Sequence, residues 1–494
     1  MHATLISYPD RSSVVNLISC STASRVRTVC RTICVAAAMA MSTFAMARGQ
    51  ASATAPKEAG LGNVIFMHPD GAAASTWAAA RALYYGPDSD LNWDLLPAIA
   101  VYRGHMADSI LATSNGGATT HATGLKVGSR AFGLSDGGAR GELLVDEAGL
   151  PLSVAMQAMR AEVRVGLVQT GIASEPGTAC FVTAVESRGD HEEIVAQLVY
   201  SGTDVMFSGG ERYFLPEGFD GVHGPGERKD GRNLFDEARQ LGYTVIRTRS
   251  ELLTLPAGTK QVLGVFSWDA TFNADTEEEL MAAGKPNFDH AAPTVGEMTE
   301  SALRILSGGD DRFLLVVEEE GTDNFGNVNN ASGVLESARR ADDAFGVAQR
   351  FLEDHPDTLI LTAADSDGGG LRMRGIVVRP DGTSPIEVLP EVDKNGGPID
   401  GIAGKGTAPF LSAPDRNGMR FPFGIVWASM SDVAGGVLVR ADGLNSHRVR
   451  GSMDNTDLTR LMRLTLFGSE HSPEAAGLQT QARTQPWWNG VREE

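Results

Sequence analysis

Asn63-Val64-Ile65-Phe66-Met67-His68-Pro69-Asp70-Gly71 is the stretch whose pattern decides the fold: an apolar run that stops abruptly at an acid followed by a small residue. The same phrase returns twice, where Phe313 to Val317 leads into Glu318 and where Thr358 to Leu361 leads into Asp365-Ser366-Asp367. Each run is rich in Val, Ile, Leu or Phe and too short for a buried helix. Each therefore reads as a central strand covered on both faces.

Segments with helical spacing lie between these runs. The clearest carries Leu335, Ala338, Ala341, Phe345, Ala348 and Leu352 on one face, with charged residues opposite. Further helices are predicted over Leu152 to Arg160, His191 to Tyr200, Leu234 to Leu241, Val295 to Leu306 and Asp454 to Phe467. Further strands are predicted over Arg164 to Gln169, Thr203 to Phe207, Gln261 to Phe266 and Phe423 to Trp427. This alternation predicts an α/β fold, a large and mostly parallel central sheet with helices on both faces. Such sheets bind ligands outside the carboxyl ends of their strands, so Asp70, Glu318, Asp323, Asp365 and Asp432 are expected to meet on one sheet edge. A Gly-, Pro- and Asp-rich stretch from about 371 to 420 breaks the rhythm and reads as a surface excursion.

The ends of the chain read differently. Arg25, Arg27 and Arg31 precede an apolar stretch from Ile33 to Ala47 that closes on Ala45-Met46-Ala47, so residues 1–47 are expected to be a leader. That leaves 48–469 as the main domain and 470–494 as a tail, in a periplasmic or secreted protein without a transmembrane segment. Cys180 would be the only thiol left, so the exported chain would have no internal disulfide. The 494 residues carry 42 Lys and Arg against 62 Asp and Glu, a formal charge of −20, which argues against wrapping nucleic acid.

Several carboxylates gathered at one edge repel one another, so either some stay protonated or cations fill the site. Cations are the favoured answer, because paired metal ions are the usual device for in-line displacement at phosphorus. A hydroxyl-rich segment, Thr113-Ser114-Asn115-Gly116-Gly117-Ala118-Thr119-Thr120-His121-Ala122-Thr123-Gly124, looks like a helix start. Ser114 there is either a plain cap or a nucleophile helped by metal and by the amide dipoles. His68 and His121 are expected to be structural, although either would supply zinc with a nitrogen ligand. The Ser412-Ala413-Pro414-Asp415-Arg416 box is expected to be a turn.

Taken in order, these motifs resemble the alkaline phosphatase family from about Gly62 to Gly468: strand-Asp70-Gly71, the Ser114 segment ending at Gly124, Ser187-Arg188, Val317-Glu318 with Asp323, and Thr362-Ala363-Ala364-Asp365. The resemblance implies a phosphomonoesterase working through a phosphoseryl intermediate at a multi-metal site. It implies Ser114 as nucleophile and Arg188 as the phosphate-gripping arginine. It also implies Asp70 bridging two metals, Asp365 with Ser114 at one of them, Asp323 at another, and Glu318 with Thr178 or Gly177 near a third, Thr178 being preferred.

The departures from the family pattern are as informative as the matches. Asn327, Ser366 and Asp432 stand where the family places zinc-binding histidines, so the chain reads as a divergent member with those ligands replaced. Oxygen ligands of this kind favour Mg, Ca or Mn over Zn. Thr113 replaces an aspartate that would have been a partner for Arg188. The expected partners are a small phosphoester substrate and inorganic phosphate, with a homodimer as an option for assembly. A phosphodiesterase or sulfatase-like hydrolase of the same fold, and a catalytically idle metal- or phosphate-binding protein, remain open alternatives.

Overall fold

The computed structural model describes residues 60–138, 141–146, 149–256, 258–309 and 311–470. The expected leader and almost all of the tail lie outside them. Alternate residues of each central strand feed opposite faces. Val64, Phe66, Leu314, Val316, Leu359 and Leu361 pack into one core, while Ile65, Met67, Leu315, Val317 and Ile360 pack into another. All of these are buried, as expected for strands covered on both sides.

The strands in chain order are β1 Asn63–Pro69, β2 Ala98–Arg103, β3 Arg164–Ile172, β4 Val205–Gly209, β5 Thr244–Ile246, β6 Val262–Val265, β7 Phe313–Glu319, β8 Thr358–Thr362, β9 Arg372–Gly375, β10 Ile399–Gly401, β11 Gly404–Lys405, β12 Phe410–Leu411, β13 Pro422–Val426, β14 Leu438–Gly443 and β15 Arg450–Asp454. Ten of them form the main sheet in the order β15-β2-β14-β8-β1-β7-β3-β4-β6-β5. Only β14 runs antiparallel to its neighbours. At the centre, β1 lies between β7 and β8 and parallel to both, with His68 opposite Glu318 and Met67 opposite Thr362. That register brings the three acid-terminated runs together at their carboxyl ends.

One expectation needs correcting. The Phe423 to Trp427 run is not a strand of the main sheet. As β13 it is the centre of a separate five-stranded antiparallel sheet with β9, β10, β11 and β12. Its apolar run is nevertheless buried, because Phe423, Ile425 and Trp427 join the core on the Ile65 side of the main sheet. Burial alone does not tell a strand which sheet it belongs to. The stretch from 371 to 420 thus carries most of a second small sheet, and Ser412 within it accepts the Phe421 amide at 2.9 Å in a turn-closing bond.

Helices cover both faces. Val295–Leu306 and Ala331–Asp354 pack on the Ile65 side, and Asn455–Phe467 on the Phe66 side. Thr294 caps the first and Asn330 the second by accepting backbone amides of the first turn. The Ala74–Tyr84 helix that follows Asp70 is anchored by Trp77, which stacks on Trp93 at 4.9 Å and meets Phe345 edge-on. Trp77→Ala should cost about 3–5 kcal/mol, read as a lower unfolding midpoint in denaturant.

Candidate metal centre and nucleophile

Asp70 stands just past the end of β1 with no solvent exposure, and neither carboxylate oxygen has a hydrogen-bond partner. Its backbone amide donates to the Glu319 carbonyl at 3.1 Å, which fixes the turn. The next residue, Gly71, has φ +67°, and a Cβ there would stand 2.7 Å from Asp323 Oδ1. Both the left-handed backbone and the close approach require glycine.

The other acids close in from neighbouring strands. Glu318 ends the apolar part of β7, and both of its oxygens are buried without a partner. Gly177 lies directly beneath it, where a Cβ would stand 1.6 Å from Oε1. Thr178 next to it is buried on the short Pro176–Ala179 helix and lines a small cavity with Leu167, Leu198, Val199 and Met206. Asp323 sits in the Gly321–Asn327 helix with Oδ1 unpaired. Asp365 lies beyond β8 with both oxygens buried and unpaired, against Gly117, where a Cβ would meet Oδ2 at 2.3 Å. Ser366 Oγ is likewise buried without a partner.

Gly117 belongs to the Ser114–Thr123 helix, three residues after Ser114, so the two share a face. Asp365 is therefore brought to the nucleophile candidate. The cap of this helix is Thr113, whose hydroxyl accepts the Gly116 amide at 3.4 Å and donates to the Ser129 carbonyl. Ser114 occupies the first helical position instead and is buried. The N-terminal end of a helix carries partial positive charge, which favours an anion beside Ser114.

Asn327 and Asp432 are both half-buried and connected. The Asn327 amide nitrogen donates to Asp323 Oδ2 at 2.8 Å and to Asp432 Oδ1 at 3.0 Å, while its oxygen accepts the Gly369 amide at 3.1 Å. Asn327 therefore bridges the two carboxylates through its nitrogen, while its oxygen keeps a second lone pair. Arg188 pairs with Glu175 at 3.1 Å and is half exposed. Burial works against the Arg188 charge, but Glu175, Glu320, Asp70 and Asp323 outweigh it and raise its pKa. Sequence reasoning did not single out Glu175 as a partner of Arg188.

Glu319, Glu320 and Asp367, next to these acids in sequence, are all buried. Glu319 accepts the Thr170 hydroxyl at 3.0 Å, and Asp367 pairs with Arg372 at 2.7 Å. Glu320 joins Asp70 and Asp323 in a group whose carboxylate oxygens lie within 4.8 Å of one another. A second such group is His68, Asp70 and Glu318. Of the two histidines, His121 meets the Tyr102 hydroxyl at 2.7 Å through Nε2, while its Nδ1 is buried without a hydrogen-bond partner. His68 contacts the Ala363 carbonyl at 3.0 Å through Nδ1, but its Nε2 has no hydrogen-bond partner.

Burial raises Glu318, Glu320, Asp323 and Asp365 well above the ordinary carboxylate range, and repulsion from neighbouring acids, Asp70 among them, adds to it. So many buried oxygen acceptors without donors fit divalent cations.

The alkaline phosphatase family profile matches residues 61–467. The chain belongs to the alkaline phosphatase family. Its similar proteins include the repressible alkaline phosphatase of Saccharomyces cerevisiae, 26% identical over 341 residues, 63% of this chain and 55% of that protein. The chain thus spans little more than half the length of that relative. An alkaline phosphatase of Gadus morhua is 25% identical over 355 residues, 63% of this chain and 71% of that one. Among solved structures, alkaline phosphatase from the Antarctic bacterium TAB5 aligns with TM-score 0.60 and 20% identity, covering 82% of this chain and 98% of its own. The Thermus thermophilus enzyme aligns with TM-score 0.63 and 21% identity, covering 83% and 92%. These structures share the alkaline phosphatase fold, and the sheet described above is its version in this chain.

The raised pKa values fix the sign of a pH effect. A carboxyl whose pKa is higher in the folded than in the unfolded chain stabilises the fold fully below its unfolded value, and that contribution is lost as pH rises through the folded value. Metal-stripped protein should therefore melt lower at about pH 8 than at about pH 6. Added divalent cation should raise the melting temperature more at the higher pH, since it then competes with fewer protons. Thermal melts at both pH values, with chelator and with metal, check both signs.

Proposed function

We propose that this chain is an exported, metal-dependent phosphomonoesterase in which Ser114 is the nucleophile. The observation that carries the reading is the convergence of the unpartnered carboxylates of Asp70, Glu318, Asp323 and Asp365 beside the first turn of the Ser114 helix. Asp70 would be shared between positions, Asp365 and Ser366 would serve the one beside Ser114, and Asp323 with Asp432 the next. Oxygen donors dominate, so Mg, Ca or Mn is favoured over Zn at these two positions. A variant of the TAB5 enzyme has been solved with Mg bound in its M3 site, so Mg is among the ions that proteins of this fold hold. Bound cations would lower the Ser114 hydroxyl pKa and offset charge on the phosphoryl oxygens.

The protein groups do the rest. Ser114 Oγ attacks phosphorus while the ester P–O bond breaks, and the alcohol departs with a proton. Water then cleaves the phosphoserine to release inorganic phosphate and restore the hydroxyl. Arg188 keeps N–H donors beyond the one given to Glu175, and these suit two phosphate oxygens. A monoester dianion gains most from that fork, which favours monoesters over diesters.

Ser114→Ala should lower p-nitrophenyl phosphate turnover by about a thousandfold or more while leaving bound metal unchanged. Full turnover in this variant would remove Ser114 as nucleophile. Wild-type protein that holds metal yet turns over no phosphoester would instead be the idle binding protein.

A further inference from the structure

The ring of His68 is fixed in a way that leaves one nitrogen without a use. Nδ1 lies 3.0 Å from the Ala363 carbonyl, which can only accept, so the proton sits on Nδ1 and Nε2 keeps its lone pair. That lone pair faces Asp70 Oδ1 at 3.7 Å, and both atoms are buried without a hydrogen-bond partner. His68 also stands opposite Glu318 in the β1–β7 register, and both Glu318 oxygens are unpartnered too. Three acceptor groups thus face one another within 4.8 Å with no donor between them. Phe66 and His121 pack against the ring at 6.1 and 5.4 Å. Gly177, under Glu318, contributes no side chain.

We propose that His68 Nε2 is a direct ligand of the cation held by Asp70 and Glu318, which makes this position a mixed nitrogen–oxygen site selective for a divalent transition-metal ion over Mg or Ca. A ligating histidine ordinarily donates its other ring N–H to a backbone carbonyl or carboxylate, and the Ala363 contact is that arrangement. Imidazole nitrogen shifts preference toward transition metals, whereas an all-carboxylate position takes hard cations. The site beside Ser114 and the one at Asp323 would keep their hard-cation preference, so the two kinds of ion would divide between positions. This inference rests on the metal-centre reading above. The rival arrangement is a second proton on the ring, giving a His68–Asp70 ion pair and no metal–nitrogen bond.

Pulsed electron paramagnetic resonance on the full-length protein, stripped and reloaded with Mn(II), separates the two. A directly bound imidazole gives a nitrogen hyperfine coupling, and selective heavy-nitrogen labelling of histidine in the wild type identifies its source even if a variant folds poorly. The coupling should be present in wild type, persist in His121→Gln and vanish in His68→Gln. Equilibrium dialysis with elemental analysis should show Mn(II) or Co(II) affinity at one position falling about tenfold or more in His68→Gln, with Mg binding much less changed. Bound Mn(II) without the coupling, or a coupling that survives His68→Gln, overturns the His68 assignment alone. Wild-type protein that binds no divalent ion overturns the metal-centre reading and the assignment with it.

Discussion

Mutual repulsion among buried carboxylates is the constraint on which the rest of this structure depends. Asp70, Glu318, Glu320, Asp323 and Asp365 are all buried, and most of their oxygens have no donor. At neutral pH such a group either holds protons far above the usual range or holds cations, and a chain that relied on protons alone would lose the arrangement on the alkaline side. The surrounding backbone is shaped to crowd the acids together. Gly71, Gly117 and Gly177 each lie where any side chain would strike a carboxylate. Glycine at these places trades conformational entropy for the approach distance that the centre needs.

The sheet supplies the convergence. With β1 between β7 and β8 in parallel register, three strand ends deliver their acids to one edge, and the two cores hold those strands against movement. This part was legible in the sequence, because a strand buried on both faces must be apolar throughout and its first polar residue marks the end of the covered zone. The strands at one end of the main sheet, β2, β14 and β15, were not legible. Their residues alternate in exposure or carry Arg and Gly, and they are short, so their pattern resembles that of loops. β13 was legible as a buried strand but not as belonging to a second sheet, since apolarity reports cover and not partners.

Within the site, the residues that follow an apolar run were found, and those defined by what they face were not. Glu175 lies on a segment whose spacing departs from the family pattern, and nothing local marks it as a partner for Arg188. His68 did carry a usable signal. It precedes Asp70 by two, so along an extended strand the two share a face. A histidine at that offset from an aspartate proposed to bind metal is a candidate ligand as well as a core residue. His121 shows the contrast: its Nδ1 is unpartnered too, but it sits on the helix rather than on the strand and belongs to neither group of converging ligand atoms.

On the proposed function, the surroundings of Arg188 would suit an anion site in this member of the alkaline phosphatase family. Thr113 uses its hydroxyl to cap the Ser114 helix. Glu175 pairs with the Arg188 guanidinium at 3.1 Å. Glu320, Asp70 and Asp323 also act on Arg188, so the guanidinium and the inner acids share one field. On the proposed reading, Glu175 would fix the arginine while the inner carboxylates held cations. A phosphate dianion entering between them would then meet cations on one side and a guanidinium fork on the other, despite the overall negative field.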